Sequence, residues 1–188
     1  MSRPRILIAG VGNIFLGDDA FGVEVAQRLA RGKLPDEVRV VDFGIRGLDL
    51  TYALLDGYES VILVDAAPRG GPPGTLYVLD VGGDGSPTAA EADSIPMIET
   101  HGMDPVKVLR LAVAMGGTTG RLLLVGCEPT TPGAGAADEL PAGLSEPVRA
   151  AVDEAVSLIT SLVARLLRGE DLAASGNDNF SGKGVAAC

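Results

Sequence analysis

The chain has 188 residues, of which 46% are hydrophobic, and this is enough for one globular domain with a sizeable core. Its formal net charge of -10 argues against nucleic acid or an anionic membrane as a partner and favours a monomer that charge keeps soluble. No apolar run approaches the ~20 residues that span a bilayer, and no secretory hydrophobic region precedes the first predicted strand, so we expect a cytoplasmic protein.

Short apolar runs alternate with amphipathic segments along most of the chain. Five runs are typical of buried strands, namely Ile6–Ala9, Val38–Val41, Ser60–Val64, Thr75–Val81 and Arg121–Gly126. Helical spacing of apolar residues occurs in four segments, namely Ala20–Arg31, Leu48–Leu55, Pro105–Met115 and Leu144–Leu167. This alternation predicts an α/β fold with a mostly parallel sheet and helices on both of its faces.

Three segments depart from the alternation. Ala66–Gly74 is rich in Pro and Gly and leaves no room for a helix, so the fourth strand is expected to be antiparallel or to lie at an edge of the sheet. Gly82–Pro96 and the tail of residues 169–188 are predicted to be unstructured, because neither composition needs to bury anything. The folded domain is therefore expected to comprise residues 1–168.

The loop after the first strand is close to a dinucleotide-binding motif but differs in spacing. Gly10 and Gly12 fit that motif, whereas its third glycine is replaced by Phe15, whose ring would block the close approach of helix and strand. The acidic residue expected about 20 positions further on is absent. Asp18 and Asp19 would also repel a pyrophosphate, so nucleotide binding is disfavoured.

Polar residues follow four of the predicted strands. They are Asn13, Asp18 and Asp19 after the first strand, Asp42 after the second, Asp65 after the third, and Cys127 and Glu128 after the fifth. The carboxyl ends of parallel strands meet at one edge of a sheet, which is where ligands bind in such folds. The single histidine, His101, precedes a helix start at Asp104 and Pro105 and is expected on the same rim.

Two carboxylates and one imidazole that converge on a cleft make a plausible site for a divalent metal ion. Oxygen ligands alone suit magnesium or calcium, whereas an added imidazole shifts the preference toward nickel, zinc, iron or manganese. Three protein ligands would leave coordination positions open for substrate or water. The competing interpretation of His101 is an ordinary histidine on a surface loop.

The acidic residues also have interpretations that involve no chemistry. Asp18 and Asp19 could stabilise the positive end of a helix dipole, and for Asp18 this interpretation is favoured. Asp42 precedes Gly44 and is equally compatible with a turn. Asp65 is harder to explain in this way, because a carboxylate that ends a buried strand is costly unless something pairs with it.

The two cysteines, Cys127 and Cys188, make a poor disulfide framework and a poor zinc site. Cys127 closes an apolar run and is interpreted as a small buried hydrophobic residue. It has no identifiable base, and His101 is the only imidazole, so neither a Ser/His/Asp nor a Cys/His arrangement is supported. Glu128, before Pro129, is weakly informative.

An ordered set of motifs resembles the hydrogenase maturation endopeptidases, which finish the large subunit of nickel–iron hydrogenases. The motifs are Gly10-Val-Gly-Asn13, Asp18-Asp19-Ala-Phe-Gly22-Val, Val64-Asp65-Ala66, the isolated His101, Gly126-Cys-Glu-Pro129 and Leu144-Ser-Glu-Pro-Val-Arg149. The resemblance covers roughly residues 4–167 in one order with fitting spacing.

The resemblance implies a single three-layer α/β domain with a twisted, mostly parallel five-stranded sheet between helices. It further implies an endopeptidase that removes a carboxyl-terminal extension from the large-subunit precursor once nickel has been inserted. The resemblance also implies that the nickel belongs to the precursor and that Asp19, Asp65 and His101 sense it.

The chain departs from the family pattern at two places. The first metal ligand is often Glu in the family, whereas Asp19 is one methylene shorter. After the second strand the family often has Asp-Gly-Gly-Thr, and here Phe43 and Arg46 add bulk and charge that we interpret as the mark of a different precursor. The alternative function is a non-catalytic metal- or partner-binding module on the same fold.

Overall fold

The computed structural model describes residues 5–80, 105–117, 120–130 and 143–170. The elements of these residues are β1 (Ile6–Val11), a 3-10 helix (Gly17–Ala20), α1 (Phe21–Ala30), β2 (Val38–Gly44), α2 (Gly47–Leu54), β3 (Ser60–Ala66), β4 (Leu76–Asp80), α3 (Pro105–Ala114), β5 (Arg121–Cys127) and α4 (Glu146–Leu167). Every predicted strand and helix is present with small differences at its ends. Gly82–Pro96 and residues 171–188, both predicted to be unstructured, lie outside the described residues.

The five strands form one sheet in the order β2-β1-β3-β5-β4. β1, β2, β3 and β5 are parallel, and β4 is antiparallel to β5 at an edge of the sheet. Both expectations for the fourth strand are confirmed, because the connection from β3 contains no helix that could return the chain across the sheet. The residues that follow Val11, Gly44, Ala66 and Cys127 share one side of the sheet, here named the carboxyl edge.

Helices cover both faces of the sheet, as predicted. One face packs against α1 and α4 and includes Ile8, Ile62, Leu123, Phe21 and Ile159. The opposite face packs against α2 and α3 and includes Leu7, Leu63, Leu124, Leu50 and Leu109. β1 and β3 are buried on both faces, which explains their continuous apolar sequences. None of the described helices has the length and apolar character needed to cross a membrane.

α1 lies unusually close to the sheet because glycines form the contact. A Cβ atom on Gly22 would lie 2.0 Å from the carbonyl oxygen of Val64 and 2.3 Å from that of Val11. A Cβ atom on Gly10 would lie 2.3 Å from the carbonyl oxygen of Gly22. The steric argument about Phe15 was therefore wrong: its side chain is 83% exposed, and the close helix–strand contact is made further along the chain.

This contact predicts that Gly22→Ala strongly destabilises the protein. The added methyl group would overlap two backbone oxygen atoms that cannot move independently, so we expect a loss of about 3 kcal/mol or more in the free energy of unfolding. Urea denaturation measures this loss. Gly71→Ala is the matched control, since its Cβ atom would meet its nearest neighbour at an ordinary 3.6 Å. Equal stability of the two variants would contradict the close contact.

Candidate active site

Asp19 is held against the end of β1 by the fold of the β1–α1 loop. Gly12 has a φ of 133°, and a Cβ atom there would lie 1.8 Å from the carbonyl oxygen of Asp19. The backbone N–H of Asn13 donates a hydrogen bond to Asp19 Oδ2 at 2.6 Å. Asn13 Oδ1 in turn accepts a hydrogen bond from the N–H of Phe15, which closes a tight Asx turn. The half-buried carboxylate of Asp19 is thereby fixed at the carboxyl edge.

Asp65 is the next-to-last residue of β3, in the middle of the sheet, and it is 5% exposed. Burial raises the pKa of its carboxyl group well above the usual value, the negative charge of Asp19 raises it further, and the N–H of Ala66 partly offsets both effects. Asp65 and Asp19 are therefore close enough to interact electrostatically. Their assignment as metal ligands stays a prediction.

His101 and the Asp104 cap lie outside the described residues, so the third member of the predicted ligand set has no described position. Among residues 5–80, 105–117, 120–130 and 143–170, no group of three or more His, Cys, Asp or Glu residues is arranged to hold a metal ion. The two carboxylates of Asp19 and Asp65 are the part of the predicted set that can be placed.

Asp18 makes contacts beyond the helix-dipole role favoured by the sequence. It lies in the first turn of the 3-10 helix, but its carboxylate accepts hydrogen bonds from two distant loops. Oδ1 accepts from the N–H of Ser145 at 2.7 Å, and Oδ2 accepts from the N–H of Thr130 at 2.8 Å and from the Ser145 hydroxyl at 2.9 Å. The helix-dipole interpretation of Asp18 is compatible with this position and stays a prediction, whereas the hydrogen bonds were not predicted because the partners lie more than 100 residues away along the chain.

Glu128 is a second buried carboxylate at the carboxyl edge, and its sequence context carried little signal. It accepts hydrogen bonds from the N–H groups of Arg69 and Gly70, at 2.8 and 3.1 Å, and from the Tyr77 hydroxyl. Burial raises the pKa of Glu128, but these bonds and one from the N–H of Gly71 outweigh burial and leave the pKa below its ordinary value. Glu128 thus holds the β3–β4 loop in place.

The end of β2 and the β2–α2 loop are held by polar groups from α1 and from the loop itself. Gln27 donates a hydrogen bond to Asp42 Oδ2 at 3.0 Å, and the Arg46 guanidinium donates to the backbone oxygens of Asp42 and Phe43. Phe43 is 3% exposed and belongs to the core between the sheet and the α2 and α3 helices. Its bulk cannot mark the precursor by direct contact, which corrects that interpretation of Phe43.

Cys127 is confirmed as a buried residue. It is fully enclosed at the end of β5, and burial raises the pKa of its thiol to about 12, with further contributions from the charges of Asp18, Glu128 and Glu154. The thiol is therefore protonated at neutral pH and is not a nucleophile.

The hydrogen bonds of Glu128 predict a pH-dependent contribution to stability. Glu128→Gln removes the charge and one acceptor oxygen, and we expect it to lower the free energy of unfolding by about 2 kcal/mol at pH 7. Because the folded-state pKa of Glu128 lies below its ordinary value of 4.5, wild type holds this advantage above that value and loses it as the pH falls through the lowered pKa. Urea unfolding of both proteins over this pH range measures the difference.

Glu59→Gln is the matched control for this prediction. Glu59 is paired with Arg5 at the surface, where solvent screens the charges, so its replacement should change stability little. A difference between wild type and Glu128→Gln that stays constant down to low pH would contradict the assigned role of Glu128.

Comparison with known proteins identifies the family. The hydrogenase maturation protease family matches residues 23–162 of the chain. Hydrogenase expression/formation protein HoxM of Azotobacter vinelandii is 33% identical over 179 residues, which cover 95% of this chain and 80% of that protein.

Two solved structures are also similar. The hydrogenase maturating endopeptidase HybD from E. coli has 29% identity and a TM-score of 0.68, over 88% of this chain and 94% of its own. The hydrogenase 2 maturation peptidase from a Thaumarchaeota archaeon has 32% identity and a TM-score of 0.62, over 85% of this chain and 98% of its own. The predicted fold and the resemblance are both confirmed: this chain belongs to the hydrogenase maturation protease family.

Proposed function

We propose that this protein removes the carboxyl-terminal extension from a nickel-loaded hydrogenase large-subunit precursor, and that Asp19, Asp65 and His101 bind the nickel of the precursor. The observation that carries the proposal is the buried carboxylate of Asp65 beside Asp19 at the carboxyl edge. Membership of the protease family supports an enzymatic function over the alternative of a non-catalytic binding module.

The electrostatics of the two carboxylates suit a cation that arrives with the substrate. Burial and mutual repulsion disfavour ionisation of Asp65, as its raised pKa indicates. A divalent ion within a few ångströms of both side chains would reverse this effect, because an opposite charge favours the ionised form. Two carboxylate ligands and one imidazole match the nitrogen and oxygen ligands that nickel accepts.

This arrangement would make cleavage conditional on nickel loading. A precursor without nickel would bring no cation to the carboxylate pair, and its scissile bond would not be held at the carboxyl edge. With nickel in place, the three side chains would orient the precursor so that its extension lies within the site. Cys127 supplies no nucleophile here, because its thiol is buried and protonated.

Purified protein mixed with nickel-loaded and nickel-free precursor tests this function by intact mass spectrometry. We expect wild type to cleave only the loaded precursor, and Asp65→Asn and His101→Ala to lower the rate by roughly 100-fold or more, since ligands of a reacting metal contribute at least this much. Asp36→Asn, which removes an exposed carboxylate in the loop before β2, should cleave at the wild-type rate. Cleavage of nickel-free precursor at the same rate would contradict the proposal.

Asp65→Asn should also make the protein more stable while it slows cleavage. Asn keeps the shape of the side chain and cannot ionise, so we expect a higher Tm at pH 7, by about 2–4 °C for each kcal/mol recovered. The raised pKa means that wild type loses stability as the pH rises above the ordinary value of 3.8, and the gap should close below it. Thermal unfolding measures both effects. A lower Tm for Asp65→Asn at pH 7 would show that the charge stabilises the fold.

A further inference from the structure

Asp18, Thr130 and Ser145 form a hydrogen-bonded group, here named the Asp18 clamp. Both carboxylate oxygens of Asp18 are used, by two backbone N–H groups and one hydroxyl. The hydroxyls of Thr130 and Ser145 are themselves 2.9 Å apart. The clamp therefore joins the 3-10 helix after β1 to the residues that follow β5 and to those that precede α4.

Ser145 makes this contact from the N-cap position of α4. It occupies the N-cap position of α4, with φ of -61° and ψ of 158°, where a serine hydroxyl normally accepts a hydrogen bond from a helix N–H. The Ser145 side chain makes no such bond, and its hydroxyl donates to Asp18. A residue that breaks a local rule of helix capping in favour of a distant carboxylate is typical of a functional constraint.

The clamp acts on the same short helix that carries Asp19. Neighbouring side chains in a 3-10 helix point about 120° apart, so Asp18 and Asp19 contact different parts of the protein. Asn13 ties Asp19 to the end of β1, and the clamp ties the helix to the chain before α4. The position of Asp19 relative to Asp65 thus depends on both attachments.

We infer that Asp18 is a positioning residue that acts through Asp19, holding its carboxylate beside Asp65 in the geometry that cleavage requires. This inference rests on the proposed function, because it assigns Asp19 to the nickel of the precursor. Asp18 itself is engaged by Thr130 and Ser145, and its contribution to cleavage is indirect. A displacement of the order of 1 Å at a reacting group can lower a rate by about 100-fold, which is the scale on which such a residue acts.

Variants of the clamp test the inference through the rate of cleavage of nickel-loaded precursor. In Asp18→Asn the side-chain amide replaces an acceptor oxygen and cannot receive the N–H groups of both partners. We expect kcat to fall about 10- to 100-fold with KM within about threefold of wild type, because the geometry of the reacting complex changes and the docking surface does not. Ser145→Ala should lower kcat less, and Ser145→Thr, which keeps the hydroxyl, should restore it.

Asp153→Asn is the matched control. The salt bridge of Asp153 with Arg28 joins α1 to α4, but it is exposed and involves Arg28 near the far end of α1 from the 3-10 helix. Its loss should leave kcat and KM unchanged. All rates are measured at a temperature where circular dichroism shows every variant folded. A kcat of Asp18→Asn within twofold of wild type, or no difference between Ser145→Ala and Ser145→Thr, would overturn the inference.

Amide hydrogen exchange separates this inference from the proposed function. In the absence of precursor, Asp18→Asn should exchange faster than wild type at residues 13–19, whereas Asp153→Asn should not. If wild type fails to cleave any precursor, the proposed function is wrong and the positioning role of Asp18 in cleavage is wrong with it. Exchange at residues 13–19 that is unchanged in Asp18→Asn would overturn the clamp itself, whatever the cleavage results.

Discussion

The contact of Gly22 with the carbonyl oxygens of Val11 and Val64 is the constraint on which the rest of the site depends. It seats the start of α1 over the junction of β1 and β3, the two strands buried on both faces. The chain that leaves β1 must then turn back within a few residues, and the 3-10 helix that results carries Asp19 to the end of β3. A side chain at Gly22 would move this helix away from the sheet.

The carboxyl edge contains two buried carboxylates whose surroundings shift their pKa values in opposite directions. Glu128 receives backbone N–H groups and the Tyr77 hydroxyl, so its charge is stabilised and it orders a loop. Asp65 is placed in the middle of the sheet beside another negative charge, and its ionised form is disfavoured. Carboxylates with a strongly shifted pKa are concentrated at functional sites, which supports the role proposed for Asp65.

The periodicity of the sequence predicted the strands and the helices, because burial of apolar faces determines them locally. Cys127 was predictable for the same reason. The antiparallel edge position of β4 was predicted from the short Pro- and Gly-rich connection before it. The partners of Asp18 and Glu128 were not, since they come from segments that only the folded sheet brings together. The steric effect of Phe15 was predicted wrongly, because the spacing of a nucleotide-binding motif was applied to this loop. In the structure Gly22 makes the close contact between helix and strand, and Phe15 is exposed. The roles of Asp19, Asp65 and His101 stay predictions of the family resemblance.

The most direct measurement is the intact mass of the hydrogenase large subunit in cells that lack this gene, complemented with wild type or with Asp65→Asn. We predict that the subunit keeps its carboxyl-terminal extension in the deletion strain, that wild type restores the trimmed mass, and that Asp65→Asn does not although it accumulates as a folded protein. A trimmed subunit in the deletion strain, or trimming by Asp65→Asn at the wild-type level, would contradict the function assigned to the carboxylates at the carboxyl edge.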